Sequence, residues 1–94
     1  MNTKQRINEF VEKLQMMMND NYLPSNTPKV TVKMGRKYAK IICRDSVYAF
    51  VDVNNGNIYK PAGWKAPAKH ARGNIFDQDH GMHCCGLYGV NYLN

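Results

Sequence analysis

A chain of 94 residues with a formal net charge of +6 has the length of one domain built around one modest hydrophobic core. No apolar run approaches the ~18 residues of a transmembrane helix, and three cysteines do not make an even disulfide framework. The basic N-terminus has no apolar segment behind it, so we expect no secretory signal, no membrane partner and a cytoplasmic location.

The positive charge is concentrated in the middle of the sequence. No acidic residue lies between Asp20 and Asp45, whereas that stretch contains six Lys and Arg residues. Residues 53–76 contain four more basic residues, again without an acid. Such a field attracts polyanions over about 8–10 Å at moderate salt. Lysine-rich faces also serve simply to keep a sheet soluble and to block edge pairing, so that alternative stays open.

The first predicted element is an amphipathic helix over residues 3–19. Its apolar residues recur at the spacing of one face of a 3.6-residue helix. Thr3 is the expected N-cap, and the polar residues 19–21 followed by Pro24 end the helix. The apolar stripe consists of Ile7, Phe10, Val11, Leu14, Met17 and Met18.

Four strands are expected next, at about residues 29–34, 37–43, 46–53 and 57–60. Apolar and polar side chains alternate along the first two, which is typical of strands with one buried face. In the third strand the same alternation puts Tyr48 and Phe50 on one face. Gly35-Arg36 is the expected two-residue turn of the first hairpin, and residues 54–57 contain the strongest hairpin signal.

Pro61 ends the fourth strand because it cannot donate to a sheet ladder, and residues 61–94 are predicted to be irregular. One helical turn is expected from Ala68 to Arg72, between Pro67 and Gly73. A weakly apolar tail follows, made of Leu87, Tyr88, Val90, Tyr92 and Leu93.

The predicted fold class is therefore α+β within a single domain. The N-terminal amphipathic helix packs on a three- to four-stranded antiparallel meander, and a loop-rich C-terminal third wraps an edge or the open face. One face of the sheet takes the helix, and the other displays Lys and Tyr side chains.

The loop from Lys60 to Asn74 surrounds the only tryptophan, Trp64, with basic residues. Cationic side chains bind phosphate oxygens, and an aromatic ring offers a face on which a base stacks. A lone Trp after a short strand is also typical of a core residue that pins an irregular segment to the sheet, so both interpretations stay open. The candidate residues for binding phosphate or nucleic acid are Lys33, Arg36, Lys37, Lys40, Trp64, Lys65, Lys69 and Arg72.

Four weak candidates for metal ligands cluster near the C-terminus: His80, His83, Cys84 and Cys85. Structural zinc sites usually use two separated ligand pairs, whereas these two cysteines are adjacent and the chain has no second pair. The sequence also lacks the P-loop, HExxH and GxSxG motifs. We therefore expect no metal, no cofactor and no catalytic residue, and we expect that the protein is not an enzyme.

Residues 47–77, and above all Asn55–Asp77 (NGNIYKPAGWKAPAKHARGNIFD), resemble a block in small uncharacterised proteins of tailed bacteriophages. The resemblance implies a setting, the cytoplasm of an infected bacterium, and no particular activity. Weakly sequence-specific binding of nucleic acid is the leading hypothesis for such a basic chain. The alternatives are an inhibitor of host defence, acting as a nucleotide sponge or by binding a host protein, and a minor virion component. The sequence does not predict the oligomeric state.

Overall fold

The computed structural model describes residues 2–87 and 89–90. Helix α1 spans Thr3–Asn21, and a single 3-10 turn spans Met82–Cys84. The strands are β1 (Val30–Met34), β2 (Tyr38–Cys43), β3 (Ser46–Asp52), β4 (Asn57–Pro61), β5 (Pro67–Asn74), β6 (Cys85–Gly86) and β7 (Gly89–Val90).

The first five strands form one antiparallel sheet in the order β1-β2-β3-β4-β5, and β6 pairs with β7 as a small hairpin. One helix on an antiparallel sheet confirms the predicted α+β class. The sheet has five strands, whereas the sequence predicted three or four. Of the predicted apolar tail, Tyr88, Tyr92 and Leu93 lie outside the described residues.

Helix α1 begins one residue earlier than its predicted cap. Asn2 has an extended backbone, and its side-chain oxygen accepts a hydrogen bond from the amide of Gln5 at 2.8 Å. The prediction that Thr3 is the N-cap was therefore wrong, because Asn is as strong a cap as Thr and stands one position before it. The helix also runs two residues beyond its predicted end, to Asn21.

The helix buries one stripe of side chains against one face of the sheet. The sheet contributes short and β-branched residues from its three inner strands, so the helix can lie close to the backbone. Contact between these two surfaces removes the largest apolar side chains from water, and this burial is the main favourable term of the fold. The fully buried residues of the interface are Ile7, Phe10, Leu14, Met18, Ala39, Ile41, Ala49, Val51 and Ile58.

Strand β5 replaces the helical turn that was predicted from Ala68 to Arg72. Asn57 lies opposite Asn74, and Ile58 lies opposite Gly73, in an antiparallel ladder. An isolated helical turn leaves most of its backbone groups unpaired, whereas the free edge of β4 pairs them. Two irregularities in the β4–β5 register break the alternation of side chains, which hides this strand from a pattern search.

A β-bulge turns Tyr48 into the core. Ile41 lies opposite Ala49, but the next residue, Ile42, lies opposite Val47, so Tyr48 is the extra residue of β3. The hydroxyl of Tyr48 donates to the carbonyl oxygen of Gly86 at 2.6 Å, and burial raises the pKa of this phenol. The predicted sharing of one face by Tyr48 and Phe50 is therefore wrong.

Two basic side chains fasten the C-terminal segment to the helix and the sheet. Arg6 donates to the carbonyl oxygens of Ile75 and Asp77, at 2.5 and 2.8 Å. Lys60 donates to the carbonyl oxygen of Val90 at 2.5 Å.

Within the described residues, no helix combines the length and the apolar character needed to cross a lipid bilayer.

We expect Gly56→Ala to lower the free energy of unfolding by about 1–3 kcal/mol, as measured by thermal or urea denaturation. Gly56 has a φ of +81°, and a Cβ there would lie 2.8 Å from side-chain atoms of both Ile75 and Phe76. Gly63→Ala is the matched control, because no atom lies within 4 Å of a Cβ at that position. Its effect should stay within about 0.5 kcal/mol. Equal stability of the two variants would contradict the prediction.

Candidate nucleic-acid interface

The sheet face opposite helix α1 carries a row of side chains that crosses strands β1 to β4. Lys33 lies opposite Lys40, Lys40 opposite Phe50, and Phe50 opposite Tyr59. Directly opposed residues of antiparallel strands project from the same face of a sheet, so these side chains are neighbours. Lys33 and Lys40 therefore leave the sheet side by side, and an anion near them would relieve the repulsion between their charges.

The turn of the first hairpin determines that register. The amide of Gly35 donates to the carbonyl oxygen of Tyr38 at 3.0 Å, which makes Arg36 and Lys37 the central residues of the turn. The sequence predicted a turn centred one residue earlier, on Gly35-Arg36, and that prediction was wrong. A Cβ at Gly35 would lie 2.6 Å from the Tyr38 carbonyl oxygen, so the glycine is needed for this close approach.

Three aromatic rings contact one another on this open face of the sheet. The ring of Tyr38 meets Phe50 at a centroid distance of 6.1 Å and Tyr59 at 5.9 Å, both edge to face. Phe50 is only 3% exposed, although it lies on the face that the helix does not cover. These three rings, which we call the aromatic floor, thus form an apolar surface on the open face of the sheet.

The β4–β5 turn folds back over this floor and carries Trp64. The amides of Ala62 and Gly63 both donate to the carbonyl oxygen of Ala66, at 2.9 and 3.2 Å, and close the turn. Lys40 Nζ lies over the indole ring, 4.6 Å from its centroid, and 5.9 Å from the centroid of Phe50. The indole is 53% exposed, so it is a surface residue, and the interpretation of Trp64 as a core residue was wrong.

The basic residues of the hairpin and of the tryptophan turn meet at one hollow of about 290 Å³. Its cations are Lys33, Lys37 and Lys40 from the hairpin and Lys65 from the turn. The rings of Tyr38 and Phe50 line the same hollow. Two segments some 25 residues apart in sequence thus supply one positively charged surface, which we call the lysine hollow.

Trp64, which Lys40 contacts, lines a neighbouring hollow with Asp45 and Pro61. Three of the predicted basic residues also lie outside the lysine hollow. Arg36 is exposed at the tip of the hairpin turn, and Lys69 is exposed on strand β5. Arg72 is half-buried, and its Nε has no hydrogen-bond partner among the described residues. These side chains are therefore separate from the surface that Lys33, Lys37, Lys40 and Lys65 form.

No carboxylate of the described residues forms an ion pair with a lysine of the hollow. The nearest acid along the strands is Asp52, whose Cα partner is Tyr38. Its carboxylate accepts hydrogen bonds from the amides of Asn54 and Asn55, at 2.8 and 3.3 Å, and so serves the β3–β4 turn. Across residues 2–87 and 89–90, no ion pair therefore neutralises the charge of the hollow.

The aromatic floor was not among the candidate residues predicted from the sequence. Tyr38 and Lys40 are two residues apart in one strand, which places them on the same face, and this signal was available. Tyr59 and Phe50 join them only through the pairing of neighbouring strands. That pairing cannot be derived without the correct turns.

A family model described as "Family of unknown function (DUF7717)" matches residues 1–92. The chain belongs to this family. No curated protein and no solved structure matches it significantly. The family assignment therefore covers nearly the whole chain, but it supplies no activity, and the function of this DUF7717 member has to be argued from its surface.

The weak metal-ligand candidates of this DUF7717 chain enter different contacts. His80 Nε2 lies 2.9 Å from Glu9 Oε1 on the helix, while His83 Nδ1 lies 3.0 Å from Asp79 Oδ2. Cys84 is buried, and both the adjacent Cys84 sulfur and burial raise the pKa of Cys85. Cys84 Sγ donates to the carbonyl oxygen of Gly81 at 3.1 Å and Cys85 Sγ lies 3.6 Å from the same oxygen, while the hydrogen bond with Cys85 lowers the pKa of Cys84.

One exposed triad near this segment also has the donor types of a metal site. Asp77, Asp79 and His83 each offer an atom within 4.8 Å of the others. The carboxylate of Asp79 already accepts from the amides of Gly81 and His83, both at 2.9 Å. These bonds give the triad a structural role in closing the turn before the 3-10 segment.

The hydrogen bond and the charge of Asp79 raise the pKa of His83 above its ordinary value of 6.5. Because the folded-state pKa is the higher one, this pair stabilises the fold below the ordinary pKa. The contribution disappears as the pH rises through the raised value.

We expect Asp79→Asn to bring the pKa of His83 back toward 6.5 in an NMR titration of the imidazole. The two backbone amides donate to different carboxylate oxygens, so the single side-chain oxygen of Asn keeps only one of these bonds, and the variant removes the charge together with the other. Glu12→Gln, on the exposed side of the helix, is the matched control and should leave His83 unchanged. A His83 pKa that does not move in Asp79→Asn would show that this pairing is absent in solution.

Proposed function

We propose that the lysine hollow binds nucleic acid through phosphate contacts, with little dependence on base sequence. The observation that carries the proposal is the convergence of Lys33, Lys37, Lys40 and Lys65 on one hollow, beside which Lys40 also contacts an exposed tryptophan. The fold does not use these ammonium groups for ion pairs with the described carboxylates. A ligand with several phosphates would therefore replace only water and counterions at the hollow.

The type of cation favours weak specificity. Lysine is a compact point charge on a flexible stem, whereas sequence is usually read by bidentate contacts of Arg, Asn or Gln with base edges. Arg36 and Arg72, the arginines among the predicted site residues, do not line the hollow. Phosphate contacts position a nucleic acid but carry no sequence information.

The resemblance of residues 47–77 to proteins of tailed bacteriophages supports a setting for this function. In that setting the ligand would be viral or host nucleic acid in the cytoplasm of an infected bacterium. The alternative of a nucleotide sponge needs a pocket that encloses a small ligand. The hollow, at about 290 Å³, is at the lower end of pockets that hold small molecules, ~300–1,000 Å³, and the indole beside it is exposed.

The proposal predicts a strong dependence of binding on salt. With four phosphate contacts, the slope of log K against log salt should be about −2.8 to −3.6. Binding would be measured by fluorescence anisotropy of labelled oligonucleotides of two unrelated sequences, which should bind with similar affinity. Cyclic dinucleotides form a second arm, measured by thermal shift. A large thermal shift with cyclic dinucleotides, together with no binding of the oligonucleotides at any salt concentration, would contradict the proposal and favour the nucleotide sponge.

The double variant Lys33→Gln, Lys37→Gln should make the salt slope shallower by about 1.4–1.8 and weaken binding about tenfold or more at 0.1 M salt. The double variant Lys4→Gln, Lys13→Gln is the matched control, because it removes the same charge from exposed positions of the helix. It should leave the slope unchanged. Equal losses in both variants would mean that net charge, and not the hollow, attracts the nucleic acid.

A further inference from the structure

The surroundings of Trp64 indicate which form of nucleic acid the lysine hollow accepts. Lys40 Nζ lies over the indole, 4.6 Å from its centroid, so one face of the ring is occupied from below. The indole is nevertheless 53% exposed. The exposed surface therefore belongs largely to the opposite face and the edges of the ring.

The turn that carries the indole is held at its base. Pro61 and Pro67 lie opposite each other where the β4–β5 turn leaves the sheet, and two amides close the turn on Ala66. From the sheet side, the ammonium of Lys40 lies over both the indole and the buried ring of Phe50. A closed turn loses little backbone freedom when a flat ligand group covers the outer face of the ring.

We infer that the lysine hollow takes single-stranded nucleic acid and that one base stacks on the outer face of Trp64. The inference deepens the proposed function and depends on it. In a duplex the faces of the bases are already stacked on one another, so only an unpaired strand can offer a base to the indole. The phosphates on either side of that base would extend toward the lysine hollow, which Lys40 also lines.

Lys40 has a distinct role in this arrangement. Its ammonium binds the inner face of the indole, which places a positive charge directly beneath the stacking platform. A base on the outer face and a phosphate beside the ring are then both attracted to the same small area. The indole and the adjoining lysine hollow thus combine a stacking surface with an electrostatic surface. These are the two components of sites that bind single strands without sequence preference.

The test uses the wild-type protein and intrinsic fluorescence, because Trp64 is the only tryptophan in the chain. Three ligands of equal length are titrated: an oligothymidine, the same strand with abasic sugars throughout, and a duplex. We expect the oligothymidine to quench the emission of Trp64. The abasic strand keeps the phosphates and lacks the bases, so it should bind about 5- to 150-fold more weakly and leave the emission nearly unchanged.

Variants of the indole give a second, independent measurement. Trp64→Leu should weaken binding of the oligothymidine about 5- to 150-fold at an unchanged salt slope, because the phosphate contacts remain. Trp64→Phe keeps an aromatic face and should recover most of the affinity. Thermal denaturation of both variants shows whether the fold is retained, and the titrations of the wild-type protein do not depend on either variant.

The possible results separate this inference from the proposed function. Equal binding of the abasic strand and the oligothymidine, or equal quenching by the duplex, would overturn the stacking on Trp64 and leave binding through phosphates intact. Binding of none of the three ligands at low salt would overturn the proposed function and the inference together.

Discussion

The register of the first hairpin is the constraint on which the surface chemistry depends. A shift of one residue would exchange the two faces of β1 and β2, which would bring lysines to the helix and apolar residues to water. The stripe of helix α1 opposes that shift, because it needs Ala39 and Ile41 beneath it. The helix therefore keeps Lys33 and Lys40 side by side on the other face, in spite of their mutual repulsion.

Strand β3 is covered on both faces of the sheet. Its residues from Tyr48 to Asp52 are all buried, because the helix covers one face and the aromatic floor covers the other. The ring of Tyr38 is the centre of that floor, because it meets both other rings. Lys40 extends over the ring of Phe50 to the indole of Trp64. The stem of a lysine can pack along apolar surface while its ammonium stays at the rim. Lys40 thereby joins the packed interior to the charged surface.

The sequence was sufficient for those parts of the fold that follow a regular period. The helix stripe and strands β1 to β4 repeat every 3.6 or 2 residues, so they were predicted close to their observed bounds. Strand β5 and the position of Tyr48 depend on bulges, which interrupt the period and are visible only when two strands are paired. The helical turn predicted within β5 failed for this reason.

The candidate site was likewise only partly predictable from the sequence. The absence of acids between Asp20 and Asp45 was enough to indicate a basic surface, since charge can be counted along the chain. Which cations meet depends on the hairpin turn and on the path of the β4–β5 turn, and neither follows from composition. For this reason Lys65 joins the hollow, whereas Arg72 and Lys69 do not.

Three basic side chains outside the lysine hollow form hydrogen bonds that hold the fold together. Arg6 and Lys60 donate to backbone carbonyl oxygens of the C-terminal segment, and Arg44 donates to the carbonyl oxygen of Asn26 at 3.0 Å. These side chains hold separate parts of the chain together, which accounts for their charge. The ammonium groups of Lys37 and Lys40 lie over aromatic rings, and no described carboxylate forms an ion pair with a lysine of the hollow. The field of these lysines therefore stays open to an anionic ligand at this surface.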